Sequence, residues 1–431
     1  MAVALVAGLA GCGSSPAPTA TAPGGSSAGP APSAVASASP VVPATPGSLP
    51  SPTSTAASSA ATQRGPALQA ALDRLRAAQR LPGIQAAVVF PDGSVWSGAN
   101  GYADVATRAP VTTRTFFSVG SITKTLVAAL TLRLVDQGEV GLDDPISRWL
   151  PTFPNAAHIT VRELLGHRAG VADYFDNAAC VQRIVAAPAV RWSVDQVLAC
   201  VGRPYFAPGT GFHYSNTDYV LIGLIDERAS GSSLADLLRL EFVIPYGLDA
   251  IVLQSEAPPD GSLAHGYLAA ADPGGEFVDV TGRADLLPYP SLATAAGAAG
   301  AVASDAQDVA RWAGALFGGQ VLDTGTLHEM VTFLPTRPDP RGGYGLGVEP
   351  FQLDGRTAWG HRGHLAGFWS ETAYLPAEGL ALAVLTNGDW ATPDTLAAGL
   401  VAAALPATPV ASPSPAGSHP AATASPGPGT E

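Results

Sequence analysis

The 431-residue chain is almost without lysine: of its 22 Lys and Arg residues a single one, Lys124, is lysine. Cysteine and methionine are nearly as scarce, with three and two copies. The formal charge is −13 and no basic cluster occurs, so nothing can meet a nucleic-acid backbone, and nucleic acid is excluded as a partner. No run of about eighteen apolar residues is present, and the Ala/Gly stretch Ala293–Ala303 is too short and small-residued to span a bilayer. Residues 66–405 contain no G-x-S-x-G, and no internal repeat is visible. His158, His213, His265 and His328 lack metal-ligand spacing, and His361-x-x-His364 lacks a third ligand, so no metal and no cofactor is expected. Asp323-Thr324-Gly325 looks like half of an aspartic-protease signature. With no second copy to face it, it is read as a loop.

Charge is also missing locally. From Met1 to Gln63 there is no charged side chain, and Pro, Ala, Ser, Thr and Gly dominate. Such a segment cannot bury enough apolar surface to offset its ordering entropy, so residues 13–65 are expected to be a disordered linker and residues 406–431 a disordered tail. The folded body is then 66–405. Residues 1–12 end in Leu9-Ala10-Gly11-Cys12, which resembles the lipobox of bacterial lipoproteins. No Lys or Arg precedes the apolar run, as an export signal normally requires; a start further upstream would supply it. The expectation is an exported chain, lipid-anchored to the membrane through Cys12 or secreted. Cys180 and Cys200 remain as an even pair suited to one disulfide, which in an oxidising compartment contributes about 3 kcal/mol.

Within the body, Leu68, Leu72 and Leu75 predict a helix over Ala67–Arg80, closed by Pro82-Gly83. Gln85–Phe90 and Ser94–Ser97 flank Pro91-Asp92-Gly93 as a hairpin. A matching pair near the other end, Gly367–Leu375 and Leu380–Thr386, precedes a last helix at about Asp394–Leu405. Helices are predicted at Ile122–Gln137 and Thr217–Ser230, with Gly138 and Gly231 as C′ residues, and from a Ser304-Asp305-Ala306-Gln307 capping box through Trp312. The fold class is therefore α/β in the α+β sense: one antiparallel sheet built from both chain ends, flanked by helices, with a mostly helical insertion at about 140–290.

Lys124 needs its own explanation in a chain that otherwise uses Arg. Arginine cannot give up its proton in a protein, whereas a buried lysine can. Ser121-Ile122-Thr123-Lys124 sets a hydroxyl and that amine three apart at a helix start, on one face. The helix N-terminus favours developing negative charge, and the apolar remainder, Leu126–Leu134, implies burial. This is a way to activate serine without histidine.

Two further motifs follow in order: Tyr214-Ser215-Asn216 after Pro208-Gly209, and His361-Arg362-Gly363-His364 ahead of the strand at Gly367. Together with Leu142-Asp143-Asp144-Pro145, Leu164–Gly170 and Tyr344–Gly347, they make the chain, from about Leu68 to Leu405, resemble the penicillin-recognising DD-peptidase and class C β-lactamase family. The resemblance implies acyl transfer through an ester on Ser121, with Lys124 and Tyr214 sharing the proton and Asn216 holding Lys124 or the substrate amide. It further implies an oxyanion hole from the backbone N–H groups of Ser121 and of His364, which follows Gly363. His361 stands where the family has Lys or His. His167 is read as structural, and Tyr214, taken alone, could equally be a loop anchor. Arg362 departs from the family's hydroxyl residue. It either clamps a substrate carboxylate from inside the cleft, points away along the strand, or faces solvent without a role. A D-alanyl-D-alanine carboxypeptidase or β-lactamase is expected, acting as a monomer on a D-Ala-terminated peptide or a β-lactam. An esterase or amidase on the same scaffold, or a non-catalytic sensor, are the alternatives.

Overall fold

The computed structural model describes residues 59–256, 263–269, 277–280, 290–337 and 342–405. Cys12 and the expected leader and tail lie outside them. The linker expected through residue 65 ends earlier, because helix α1 runs Ala60–Gln79 and not from Ala67. Partners distant in sequence account for the difference. Ser59 Oγ accepts from Thr62 N, while Asp92 and Ser94 of the first turn take the Ala60 and Ala61 N–H groups that a helix start leaves unpaired.

Seven strands form one antiparallel sheet: β1 (Gly83–Val89), β2 (Val95–Asp104), β3 (Ala109–Pro110), β4 (Glu349–Leu353), β5 (Arg356–Leu365), β6 (Phe368–Leu375) and β7 (Leu380–Thr386). Their order is β3-β2-β1-β7-β6-β5-β4, so the chain's two ends meet where Ile84 pairs with Thr386 and Val89 with Ala381. The β1–β2 turn is the expected one, with Gly93 at φ +78°. Among the helices are α2 (Thr123–Asp136), α3 (Asn216–Ser230), α4 (Pro290–Gly300), α5 (Ala306–Phe317) and α6 (Pro393–Ala404).

Strand alternation sorts the core. Ile84, Ala86 and Val88 of β1 join Leu382 and Val384 of β7 against Leu68 and Leu72 of α1 and Leu396 and Leu400 of α6. On the other face, Ala87, Ala383 and Leu385 meet the second core, which includes Trp312 of α5 and the apolar length of α2. Strand β7 is buried on both faces, as its unbroken Leu-Ala-Leu-Ala-Val-Leu sequence requires. Two local expectations shift. Helix α5 is capped by Asp305, whose Oδ1 accepts from Asp308 N at 2.9 Å, and not by Ser304, one residue too early to reach it. Asp323-Thr324-Gly325 is not a loop but opens the short helix Thr324–Met330. Cys180 and Cys200 are joined by a disulfide with Cα atoms 6.0 Å apart, stapling helix Ala178–Ala186 to the turn after Val194–Leu198.

Candidate active site

Ser121 lies in a tight turn, Gly120–Ile122, that feeds directly into α2. The motif's threonines fix this turn: Thr123 Oγ1 donates to Gly120 O (2.7 Å) and accepts from Val302 N (3.1 Å), and Thr125 Oγ1 accepts from Trp312 Nε1 (2.9 Å). Ser121 and Lys124 are left to face inward. The Lys124 side chain is fully buried, and its Nζ lies 2.9 Å from Ser121 Oγ, 2.8 Å from Asn216 Oδ1 and 2.7 Å from Ala299 O. It also sits over the Tyr214 ring, 4.8 Å from its centroid. The three residues expected to share the chemistry are therefore together.

Hydrogen-bond valence gives this arrangement a direction. An unprotonated amine has two N–H donors and one lone pair. The two carbonyl oxygens can only accept, so both donors are committed to Asn216 and Ala299. The lone pair is left for a hydroxyl proton, and Ser121 Oγ stands 2.9 Å from it. In that state Lys124 is a base aimed at Ser121.

Strand β5 closes the site. Strand β4 pairs with it only through Gly360, which leaves the edge from His361 onward for the Ser121 turn. The approach is backbone to backbone. A Cβ on Gly363 would stand 1.9 Å from Val119 O, and one on Gly120, already at φ +52°, 2.7 Å from His364 N. Only glycine fits at either place. The His361 ring is buried 6.2 Å from that of Tyr214, with Nε2 2.9 Å from Tyr344 Oη and Nδ1 on Arg362 O. The His364 side chain is engaged elsewhere, with Nε2 2.6 Å from Asp389 Oδ1, so only its backbone can serve the site.

Arg362 corrects the expectation of a substrate clamp. Its Nε and NH2 bond Asp394 at 2.5 and 2.7 Å, NH1 bonds Glu349 at 2.6 Å, and the guanidinium covers the Phe351 ring at 4.3 Å. Strand alternation carries it away from His361, onto carboxylates that engage all three of its nitrogens. Burial opposes its charge, but the Asp394 hydrogen bond and the Glu349 and Asp394 charges outweigh this and raise its pKa further.

Two other contributors, Ala299 and Asp173, had no sequence signal. Ala299 lies in the Ala/Gly stretch, where Gly297 breaks α4 with φ +43° and ψ −129°. Asp173 Oδ2 accepts from Asn216 N (3.1 Å) and Nδ2 (2.7 Å), and Asp173 Oδ1 from Phe175 N (3.0 Å). Buried His167 packs its ring 4.3 Å from that of Tyr214. Its Nδ1 lies 3.0 Å from Asp218 Oδ2 and 3.3 Å from Ser215 N, a structural brace beneath the second motif. Burial pushes the Asp218 carboxyl well above the usual range. Among the described residues no His, Cys, Asp and Glu cluster suits a metal, and no helix is long and apolar enough to cross a membrane. An apolar cavity of about 340 Å³ lies along the Leu221, Leu224 and Arg228 face of α3 and holds none of the candidate catalytic side chains.

Residues 68–405 match the family described as Beta-lactamase. Penicillin-binding protein 4 of Amycolatopsis lactamdurans is 30% identical over 345 residues, 75% of this chain and 85% of that protein. Among solved structures, a D-stereospecific amidohydrolase from Streptomyces sp. is similar with a TM-score of 0.68 and 29% identity, over 80% of this chain and 99% of the other. The D-amino acid amidase of Ochrobactrum anthropi SV3 complexed with D-phenylalanine is similar with a TM-score of 0.70 and 27% identity, over 79% and 98%.

Proposed function

This chain belongs to the β-lactamase family, and from that premise we propose that it is a serine hydrolase working through an acyl-enzyme on Ser121, with D-amino-acyl amides and esters as its preferred substrates. The observation that carries the chemistry is the set of partners around Lys124 Nζ, which leaves a lone pair for Ser121. As Ser121 Oγ bonds to the substrate carbonyl carbon, its proton passes to Lys124. The resulting oxyanion is held by the backbone N–H groups of Ser121 and His364. Tyr214, beside Lys124, relays the proton to the leaving amine or alcohol as the carbonyl–leaving-group bond breaks. His361 supports that step from 6.2 Å away, ring to ring. Water then hydrolyses the ester by the reverse proton path.

The substrate preference rests on Arg362. Held on Glu349 and Asp394, on the side of β5 away from His361, it is not aimed at a substrate carboxylate. A neutral amide or ester loses least by this, and two similar structures are named a D-stereospecific amidohydrolase and a D-amino acid amidase. A D-alanyl-D-alanine carboxypeptidase or β-lactamase is the second reading, favoured by the penicillin-binding relative. The two separate by kcat/KM on a D-amino-acid amide, a p-nitrophenyl ester, a D-Ala-D-Ala peptide and a penicillin. The amide or ester should exceed the carboxylate-bearing pair by at least about tenfold, roughly 1.4 kcal/mol of transition-state discrimination. The opposite order would overturn the preference. Ser121→Ala should abolish all four by about 10³-fold or more.

Export belongs to the same reading. A disulfide suits an oxidising compartment, and Cys12 is assigned as the lipid anchor. Palmitate labelling should vanish in Cys12→Ser; its survival would contradict the anchor.

A further inference from the structure

An amide side chain has two ends of opposite character that differ little in shape, and Asn216 presents one of them to Lys124. Which end it presents decides what Lys124 can do. With Oδ1 toward Nζ, as found at 2.8 Å, the amide consumes an N–H of Lys124 and leaves the lone pair for Ser121. With Nδ2 there, the amide would donate into that lone pair. Lys124 would then use its N–H groups on Ala299 O and on Ser121 Oγ, and could not take the serine proton.

We infer that Asp173 is the positioning residue that sets this polarity. Its Oδ2 receives both the Nδ2 (2.7 Å) and the backbone N–H (3.1 Å) of Asn216. Oδ2, facing two N–H groups, accepts from both, so a rotated Asn216 would set Oδ1 against it, acceptor to acceptor, and lose the Nδ2 bond. The carboxylate is itself held. Phe175 N bonds its other oxygen at 3.0 Å, and its own backbone N–H is fixed by Tyr205 Oη at 3.0 Å. Asp173 is 7% exposed and belongs to neither of the motifs that carry Ser121 and Asn216, from which it acts at one remove. Asn in its place has nearly the same shape but also a donor end, so it permits both orientations of Asn216.

This inference rests on Ser121 being acylated with Lys124 as base, and the test separates the two. The readout is the acylation rate with a p-nitrophenyl ester, resolved into kcat and KM, in a cycle of Asp173→Asn and Asn216→Ala. Asp173→Asn should lower kcat by about 10²-fold with KM within about threefold, because a base is lost and not a binding contact. In the Asn216→Ala background the same substitution should cost no more than about twofold, since there is no amide left to orient. Additive losses, or a fall expressed in KM, would overturn the positioning role. If Asp173→Asn does not fold, Asp173→Ser is read in the same cycle, and a loss equal in both backgrounds again rejects the inference. Acylation that persists in Ser121→Ala would instead remove the premise.

Discussion

Two basic side chains, Lys124 fully buried and Arg362 half-buried, sit on opposite sides of β5 and are treated in opposite ways. Lys124 is surrounded by neutral groups, with a hydroxyl, an amide oxygen and a backbone carbonyl within 2.9 Å. Its carboxylate, Asp173, stands one residue further off, behind Asn216. Arg362 instead bonds two carboxylates directly, and a third acid, Glu371, adds to the field that raises its pKa. Dipoles can hold an amine without fixing its proton, whereas anions in contact fix the charge. The first arrangement suits proton transfer, and the second ties a strand to α6. A buried charge is therefore read by what touches it.

Interchanging the two residue types should break the contrast asymmetrically. Lys124→Arg keeps the charge but cannot release a proton, so turnover should fall by about 10³-fold, nearly as far as in Ser121→Ala. Retention of more than about a tenth of wild-type kcat/KM would make Lys124 structural.

Arg362→Thr strips the other cation. It removes the guanidinium that Glu349, only 3% exposed, and Asp394 share, so unfolding free energy should drop by about 2–4 kcal/mol in urea titrations. Rates on anionic and neutral substrates should change together. A selective rise in KM for the carboxylate-bearing substrate would restore the clamp that the geometry rejects.

The smallest effect concerns the acid beside that network. Burial, then the Asp394 charge, raise the pKa of Glu371 well above its ordinary value. A carboxyl raised in the folded state contributes stability that is complete below its unfolded value and is lost as pH rises through the folded one. Glu371→Gln, which cannot ionise, should therefore leave Tm unchanged near pH 4 and raise it by about 2 °C or more near pH 9, relative to wild type. A larger gain at low pH would reverse the assignment.

How much of this was legible in the sequence depends on distance along the chain. The Ser121–Lys124 pair is three residues apart, and the absence of any other lysine marked it out. The sheet from both chain ends followed from turn chemistry at Gly93 and Gly379, both at positive φ. The partners that orient Lys124 were not legible: Ala299 lies 175 residues away in an Ala/Gly stretch, and Asp173 is one acid among 35 Asp and Glu. Arg362 was ambiguous for another reason. Its side chain could face the cleft or the far side of the strand, and only Glu349 and Asp394, which the sequence does not place, decide between them. The start of α1 was missed because Ser59 sits in an uncharged stretch and the donors of Ala60 and Ala61 find acceptors on the β1–β2 turn.

The central claim is that Lys124 serves as the base that lets Ser121 become acylated. It is tested most directly by intact mass and peptide mapping after brief reaction with a slowly hydrolysed p-nitrophenyl ester and with a fluorescent penicillin. One acyl group per chain should appear on the peptide containing Ser121, and none over the same time in Lys124→Arg. An adduct elsewhere, or full acylation of Ser121 in Lys124→Arg at the wild-type rate, would contradict it.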